Sequence, residues 1–377
     1  MAMVKFGNIV RDVKINVDRS NNPYKHYVAG DHMDSEDLTI HRHGDFATDD
    51  VGPAFTRIFK PGQILYGSRR TYLKKIAVAD FSGICANTTF VLESKNETVF
   101  LTRLLPFIML SESFTRWSIA HSKGSTNPYV LFSDLADYEL DLPPIEEQRM
   151  LADKLWAAYR LKESYKKLLT ATQEMVKSQF IEMFGQSTFT IEMQECFSMM
   201  RNGANIKQGQ VEGGFPITRI ETISDETIDR EKMGYAGIID NKYESYYLQD
   251  GDILVSHINS LKHIGKCALY SKQEDEIIIH GMNLLCLRPI REIVVPAFAI
   301  HMLRSDIIKK QIADITKPAV NQASFSVKDF GRIKAIIPDL DEQNKFVAIA
   351  EQADKSEFEL RKSIEAIDQV IKSLINN

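Results

Sequence analysis

The sequence is poor in the features that usually announce catalysis, secretion or metal binding. Its 4 cysteines, Cys85, Cys196, Cys267 and Cys286, are scattered without a Cys-x-x-Cys pair. That spacing argues against a zinc ribbon or a disulfide framework and favours buried reduced thiols. No apolar run approaches the roughly 20 residues that span a bilayer, and residues 1–10 lack the basic head and apolar middle of a signal peptide. The expectation is a cytoplasmic protein without a membrane partner. No Gly-x4-Gly-Lys-Ser/Thr segment offers a phosphate cradle, so ATP hydrolysis is not expected in this chain. Excess positive charge is lacking too: the net charge of −5 argues against a uniformly basic surface. A local basic face is still possible, because Arg69, Arg70, Lys74 and Lys75 crowd together while acids gather at residues 45–50 and 221–231.

What is present is a long repeat. Pro143-Pro144-Ile145-Glu146-Glu147-Gln148 matches Pro338-Asp339-Leu340-Asp341-Glu342-Gln343 at a spacing of 195 residues, the difference between 343 and 148. A chain of 377 residues, 44% hydrophobic and 26% charged, has the length for two cores and the composition of an ordinary globular protein. Length and repeat together predict two copies of one domain, each followed by a helix.

The helices have a coiled-coil pattern. Leu151, Leu155, Tyr165, Leu169 and Val176 fall on alternating steps of four and three, and the 195-residue shift carries the same seam to Phe346, Ala350, Leu360, Ile364, Ile367 and Ile371. Pro144 suits a helix start, and Glu146, Glu147, Asp339 and Asp341 favour the positive end of a helix dipole. Lys162 and Glu357 hold equivalent seam positions with opposite charge, which suggests an antiparallel pair within one chain. The expected segments are residues 1–143, a central helix at 144–185, residues 186–337 and a C-terminal helix at 338–377.

Upstream of each helix the likeness is looser. Pro61-Gly62-Gln63-Ile64-Leu65-Tyr66 resembles Asp250-Gly251-Asp252-Ile253-Leu254-Val255, a tight turn feeding a strand. The loops that follow differ: residues 67–72 read Gly-Ser-Arg-Arg-Thr-Tyr and residues 256–260 read Ser-His-Ile-Asn-Ser. Single helices are expected at 104–120 and 296–313, then polar loops at 123–127 and 317–322. Each half is expected to be α/β (α+β) with a mixed or antiparallel sheet.

These features resemble the specificity subunits of type I restriction-modification systems. The likeness is carried by the Pro-Pro-Ile-Glu-Glu-Gln segment at Pro143, its repeat at Pro338, the heptad helices behind them and the Gly-Asp-Ile-Leu element at Gly251. The resemblance implies a non-catalytic reader of double-stranded DNA. Two target recognition domains would each read half of a bipartite site, and two long antiparallel coiled-coil helices would set their spacing and dock two modification subunits. Restriction subunits would complete the complex. S-adenosylmethionine, ATP and Mg would belong to those partners, with no cofactor in this chain. Gln63, where the second copy has Asp252, is a minor departure.

Arginine and lysine bond guanine edges and phosphates, and asparagine and glutamine pair with adenine. The candidate DNA-binding residues are therefore Arg69, Arg70, Lys74, Lys75, Lys123 and Asn127 in the first half. In the second they are His257, Asn259, Lys262, His263, Lys317 and Gln322. Two other readings compete. One is a coiled-coil protein-interaction scaffold without sequence-specific DNA reading. The other is an amino-methyltransferase built on Asn127-Pro128-Tyr129, a motif that here lacks its second proline and a glycine-rich cofactor loop. His41 and His43, with Asp31, His32 and Asp45 nearby, could ligate a metal in principle, but such a polar stretch reads better as a solvated loop, and no metal site is assigned. If the seam packs as described, Leu155→Glu or Ile364→Glu should destabilise the helix pair by a few kcal/mol by burying an unpaired charge. Unchanged thermal melting of both variants would refute the seam.

Overall fold

Left-handed backbone at two glycines starts the sheet of each half. Gly62 (φ +87°) and Gly251 (φ +89°) make the tight turns that feed Ile64–Gly67 and Ile253–Ser256. The computed structural model describes residues 2–18, 21–207, 209, 214–319 and 322–376. The chain divides into two compact units, one comprising Met1–Lys167 with Arg361–Asn377 and the other Leu168–Leu360.

In the first unit, an antiparallel sheet runs Val10–Asp12, Thr89–Ser94, Ile64–Gly67, Ile76–Val78. A second sheet runs Gly44–Asp45, His26–Val28, Gly83–Ala86, Phe55–Phe59, with its middle pair parallel. Strands Ala2–Lys5 and Glu139–Leu142 pair just ahead of the central helix. In the second unit the order repeats as Phe197–Asn202, Leu284–Pro289, Ile253–Ser256, Cys267–Leu269. Thr190–Glu192 pairs with Lys334–Ile336 in the place of the helix-proximal pair. The sheets are mixed or antiparallel, as the sequence pattern requires.

The Gln63 to Asp252 departure is compensated by the neighbouring strand. Gln63 accepts from Lys60 N (2.8 Å) and donates to Glu93 (2.6 Å). Asp252 accepts from Gln249 N (2.8 Å) and takes both nitrogens of Arg288 at 2.8 Å. One amide–carboxylate contact has been exchanged for a bidentate ion pair at the same point of the same turn.

The expected single helices are each broken by a serine. Leu105–Leu110 and Glu112–Ala120 are separate helices, as are Pro296–Arg304 and Asp306–Ile315. Ser111 and Ser305 leave the helical region and cap the second helix, accepting from Phe114 N and Ile308 N.

The central helix is Ile145–Phe184 (40 residues) and the C-terminal helix Leu340–Asn376 (37 residues). No helix among the described residues is long and apolar enough to cross a membrane. Each helix start is fastened by the glutamine of the repeated hexapeptide, fully buried at 0% exposure. Gln148 donates to Val99 O and Pro143 O (both 2.9 Å) and accepts from Leu101 N (3.2 Å). Gln343 donates to Ile293 O (2.9 Å) and Pro338 O (2.8 Å) and accepts from Val295 N (2.8 Å). The helix ends also complete the cores. Ala152, Leu155, Tyr159 and Ile371 join that of the first unit, and Val176, Phe180, Phe184, Phe346, Ala350 and Ala353 that of the second. Leu155 is fully buried and Ile364 only half so, which makes Leu155→Glu the more damaging of the two seam substitutions.

The two charged seam positions, Lys162 and Glu357, each find a partner within their own unit. Within the first unit Lys162 bonds Asp368 (2.5 Å), and within the second Gln173 bonds Glu357 (2.9 Å). Antiparallel packing joins positions whose numbers have a constant sum, here 530 in both contacts, whereas equivalent positions differ by 195. The two contacts are therefore the same contact in the two repeats.

Replacing Gln148 or Gln343 with leucine should cost roughly 3 kcal/mol each, because a buried N–H and two carbonyls lose their partners. Both tryptophans, Trp117 and Trp156, lie in the first unit. Urea unfolding followed by fluorescence should therefore shift for Gln148→Leu, with circular dichroism reporting Gln343→Leu. Unchanged midpoints would show that the glutamines do not fasten the helices.

Candidate functional site

In each unit, two polar loops far apart in sequence are joined edge to edge at the same end of the repeated sheet. In the first unit the backbone of Arg69 bridges Tyr129, and Tyr129 bridges Lys123. Arg70 N donates to Pro128 O (2.7 Å), and Lys123 and Tyr129 exchange hydrogen bonds of 2.7 and 2.9 Å. In the second unit Ile258–Asn259 pairs with Ala323–Ser324, which pairs with Lys317–Pro318. Tyr129 and Ser324 are 195 residues apart, so the two junctions are equivalent. The loops at 67–75 and 123–127 thus adjoin one another, as the loop at 256–263 adjoins residues 317–319 and Gln322.

The candidate residues are placed unevenly on these surfaces. Arg69, Arg70, Lys123, Asn127, Lys262, Lys317 and Gln322 are exposed; Asn259 and His263 are half-buried. Val320 and Asn321, in the same loop as Lys317 and Gln322, lie outside the described residues. Lys123 is paired with Asp134 (2.9 Å), whose carboxyl is held below its usual range by that ammonium and by the Leu131 amide, against the opposing effect of burial. His257 points inward. It is 5% exposed, its ring lies 6.1 Å from that of Phe325, and burial pushes its pKa down to about 4. Its equivalent Ser68 is equally buried, and both carry their strand's backbone pairing into the loop junction: Val130 N donates to Ser68 O (2.9 Å) and Phe325 N to His257 O (3.2 Å).

Lys74 and Lys75 brace the loop from behind. Lys74 donates to Glu36 (2.6 Å) and Lys75 to Gly30 O (2.5 Å), each side chain only 21% exposed. Between Arg70 and Lys74 runs a tight turn at Thr71–Leu73, flanked by left-handed backbone at both residues (φ 49° and 47°). Such backbone is costly for a branched-chain-sized side chain and persists only where its surroundings hold it. In the second unit, Asn259 holds its loop by donating to Ser256 Oγ (3.1 Å) and accepting from Ser260 N (2.8 Å). Asn259 and His263 line a cavity of about 260 Å³ together with Ser224, Ser256 and Lys266.

Three exposed large hydrophobic side chains on or beside these loops were not among the candidates: Tyr72 (52%), Tyr129 (39%) and Leu261 (66%). The signal available was their position inside the loops. The backbone of Asn127-Pro128-Tyr129 serves as the middle strand of the loop junction, which accounts for that motif without catalysis.

His41 lies apart from Asp31 and Asp45 in the structure's ion pairs. It contacts Asp37 (3.2 Å) and Glu163 (3.9 Å), three groups whose ligand atoms lie within 4.8 Å of one another. Lys166 already supplies the positive charge there, 3.0 Å from Asp37 and 2.9 Å from Glu163. The result is an ion network tying residues 37–41 to the central helix. Burial alone would raise the Asp37 carboxyl, but hydrogen bonds from Tyr159 OH (2.7 Å), Thr39 N (2.9 Å) and Lys166 outweigh it and hold the group at about 2.

The matches to known proteins follow this geometry. The sequence profile described as "Type I restriction modification DNA specificity domain" matches residues 21–171 and 191–369. The MjaX type I restriction enzyme specificity subunit of Methanocaldococcus jannaschii is 40% identical over 187 residues, covering 49% of this chain and 43% of that protein. The EcoKI specificity subunit of Escherichia coli strain K12 is 21% identical over 259 residues, covering 63% of this chain and 56% of its own. The alignments span about half the length of these two curated relatives. Among solved structures, an S subunit from M. genitalium shares the fold at a TM-score of 0.57 with 14% identity, covering 99% of this chain and 94% of its own. A chain from a study of type I R-M complex assembly has a TM-score of 0.59 with 18% identity, covering 99% and 96%.

A depressed carboxyl stabilises the fold fully above its unfolded pKa and loses that contribution as pH falls toward the folded value. Asp37→Asn should therefore lower stability by about 2 kcal/mol at pH 7, with the difference from wild type closing as pH drops from about 4 toward 2. Urea midpoints measured across that range test it; equal midpoints at neutral pH would overturn it.

Proposed function

The chain belongs to the type I restriction modification DNA specificity family, and on that premise we propose that it is the DNA-reading subunit of a modification and restriction complex. Each unit reads one half of a two-part site in double-stranded DNA. The observation that carries this reading is the repeated loop junction: the same backbone pairing at the same end of the same sheet presents different polar side chains in each unit. A scaffold that repeats while its exposed loops diverge suits two readers with different targets.

In the first unit, Arg69, Arg70, Lys123 and Asn127 supply the base and phosphate contacts. In the second, Asn259, Lys262, His263, Lys317 and Gln322 do so. Lys74 and Lys75 support the first loop, and His257 belongs to the interior beneath the second. The chain contributes recognition and no chemistry. Methyl transfer with S-adenosylmethionine belongs to two modification subunits, and ATP- and Mg-dependent cleavage to restriction subunits. The helices set the half-site spacing and receive the modification subunits; exposed Met150 (57%) and Leu161 (45%) in the first unit and Phe358 (64%) in the second support such docking. A DNA reader of this kind works in the cytoplasm.

The test is methylation-sensitive sequencing of DNA from cells expressing this chain with its neighbouring modification subunit. A two-part, asymmetric methylated site is expected, and binding of the complex to it should fall steeply with salt as phosphate contacts release counterions. Arg69→Ala with Arg70→Ala should weaken binding by roughly 10- to 100-fold per lost base contact and relax preference in one half-site only. Methylation without sequence preference, or salt-insensitive binding, would sink the reading.

A further inference from the structure

We infer that Tyr72 and Leu261 are paired apolar wedges that press into the base stack, one in each half-site, so that the protein also reads how easily a base step opens. The inference rests on the DNA-reading assignment above and goes beyond it, since Leu261 has no hydrogen-bonding side chain and the Tyr72 ring acts here by stacking rather than by bonding base edges.

The two residues occupy the same place in the two repeats. Arg70 is the last residue of its loop joined to the neighbouring strand, through Pro128, and Asn259 is the last of its own, through Ala323. Pro128 and Ala323 are 195 residues apart, which fixes Arg70 and Asn259 as equivalents. Tyr72 and Leu261 each lie two residues further on. They are 52% and 66% exposed, among the large side chains most open to solvent in the molecule. The charged residues around them have diverged between the repeats, Arg69, Arg70 and Lys123 standing where the second copy has Ile258, Asn259 and Pro318, whereas a large exposed side chain at this point has not.

Isolated exposed apolar residues are commonplace, and by itself neither would mean anything. Here their holders are rigid. Tyr72 stands on the short turn between two left-handed residues, and the lysines behind it are tied to Glu36 and to Gly30 O. The Leu261 loop is fixed by the Asn259 side chain and turns back through left-handed Gly265 (φ +79°). A side chain projected from a braced loop can deliver force to a base stack, because little ordering remains to be done on contact. Cations flank both positions: Arg69, Arg70 and Lys123 in the first unit, Lys262 and Lys317 in the second. An apolar projection ringed by phosphate-binding groups is the arrangement of side chains that wedge between base steps, where unstacking is offset by closer contact with bent DNA. The cost of opening differs between steps, being least at pyrimidine–purine steps, so the wedges add sequence preference without a hydrogen bond.

The test uses the complex of the full chain with its modification subunit and a duplex carrying the mapped site. 2-Aminopurine is placed in turn at each position other than the methylated adenines. The wild-type complex should brighten one step in each half-site. Tyr72→Ala should abolish the first signal only and Leu261→Ala the second only, each with about a tenfold loss of affinity. Tyr72→Phe should keep both signals, and a mismatch placed at the opened step should restore most of the affinity lost by Tyr72→Ala. Specific binding by wild type with no brightening outside the methylated bases overturns the wedges. So does unchanged affinity and brightening in the two alanine variants, and a correctly melting variant that loses affinity equally for matched and mismatched steps. Absence of any specific binding by the wild-type complex overturns the DNA-reading assignment itself, and the wedges with it.

Discussion

A single buried amide fastens each long helix to its globular unit, and the placement of everything else follows. Gln148 and Gln343 are themselves fully buried, and each satisfies one N–H and two carbonyls from two segments of the chain. An amide has the one acceptor and the donors this requires; a carboxylate would face two carbonyls with no proton to give. The helix axis is thereby set at its first turn. The apolar faces then follow, with Phe180, Phe184 and Phe346 entering one core and Leu155, Tyr159 and Ile371 the other.

With the helix starts fixed, each unit can vary its chemistry without losing its frame. The exchange of a Gln63–Glu93 contact for an Asp252–Arg288 pair shows the rule at the turn that feeds the central strand. Geometry is kept and charge is rearranged between neighbouring strands. The same tolerance at the loop junction, where backbone pairing holds the loops, leaves their side chains free to differ. Loop surfaces of two kinds can therefore grow from one scaffold.

Much of this was legible locally. Proline, early acids and the repeated hexapeptide marked both helix starts, and steps of four and three marked the seam. The polar loops stood out by composition, and the structure brings them together in pairs. Legibility failed where a partner is distant in sequence. Lys74 and Lys75 look like Arg69 and Arg70 in a list of cations, yet Glu36 and Gly30 O hold them. His257 looked like a loop residue because it is polar and follows the strand, although its side chain is buried and Phe325 N donates to its carbonyl. Ser111 and Ser305, read as ordinary helix residues, are caps that split their helices.

What the sequence alone determined is the order of parts: two repeats, each a turn, a sheet, a polar loop and a heptad helix, because periodicity and turn chemistry act over a few residues. Which residues face one another was decided only by the fold. Lys162 meets Asp368, and Gln173 meets Glu357, because antiparallel packing pairs positions by their sum, a relation no local pattern encodes. In the same way, Lys74 and Lys75 are withdrawn from the loop surface by Glu36 and Gly30 O, partners too distant in sequence for a local pattern to show.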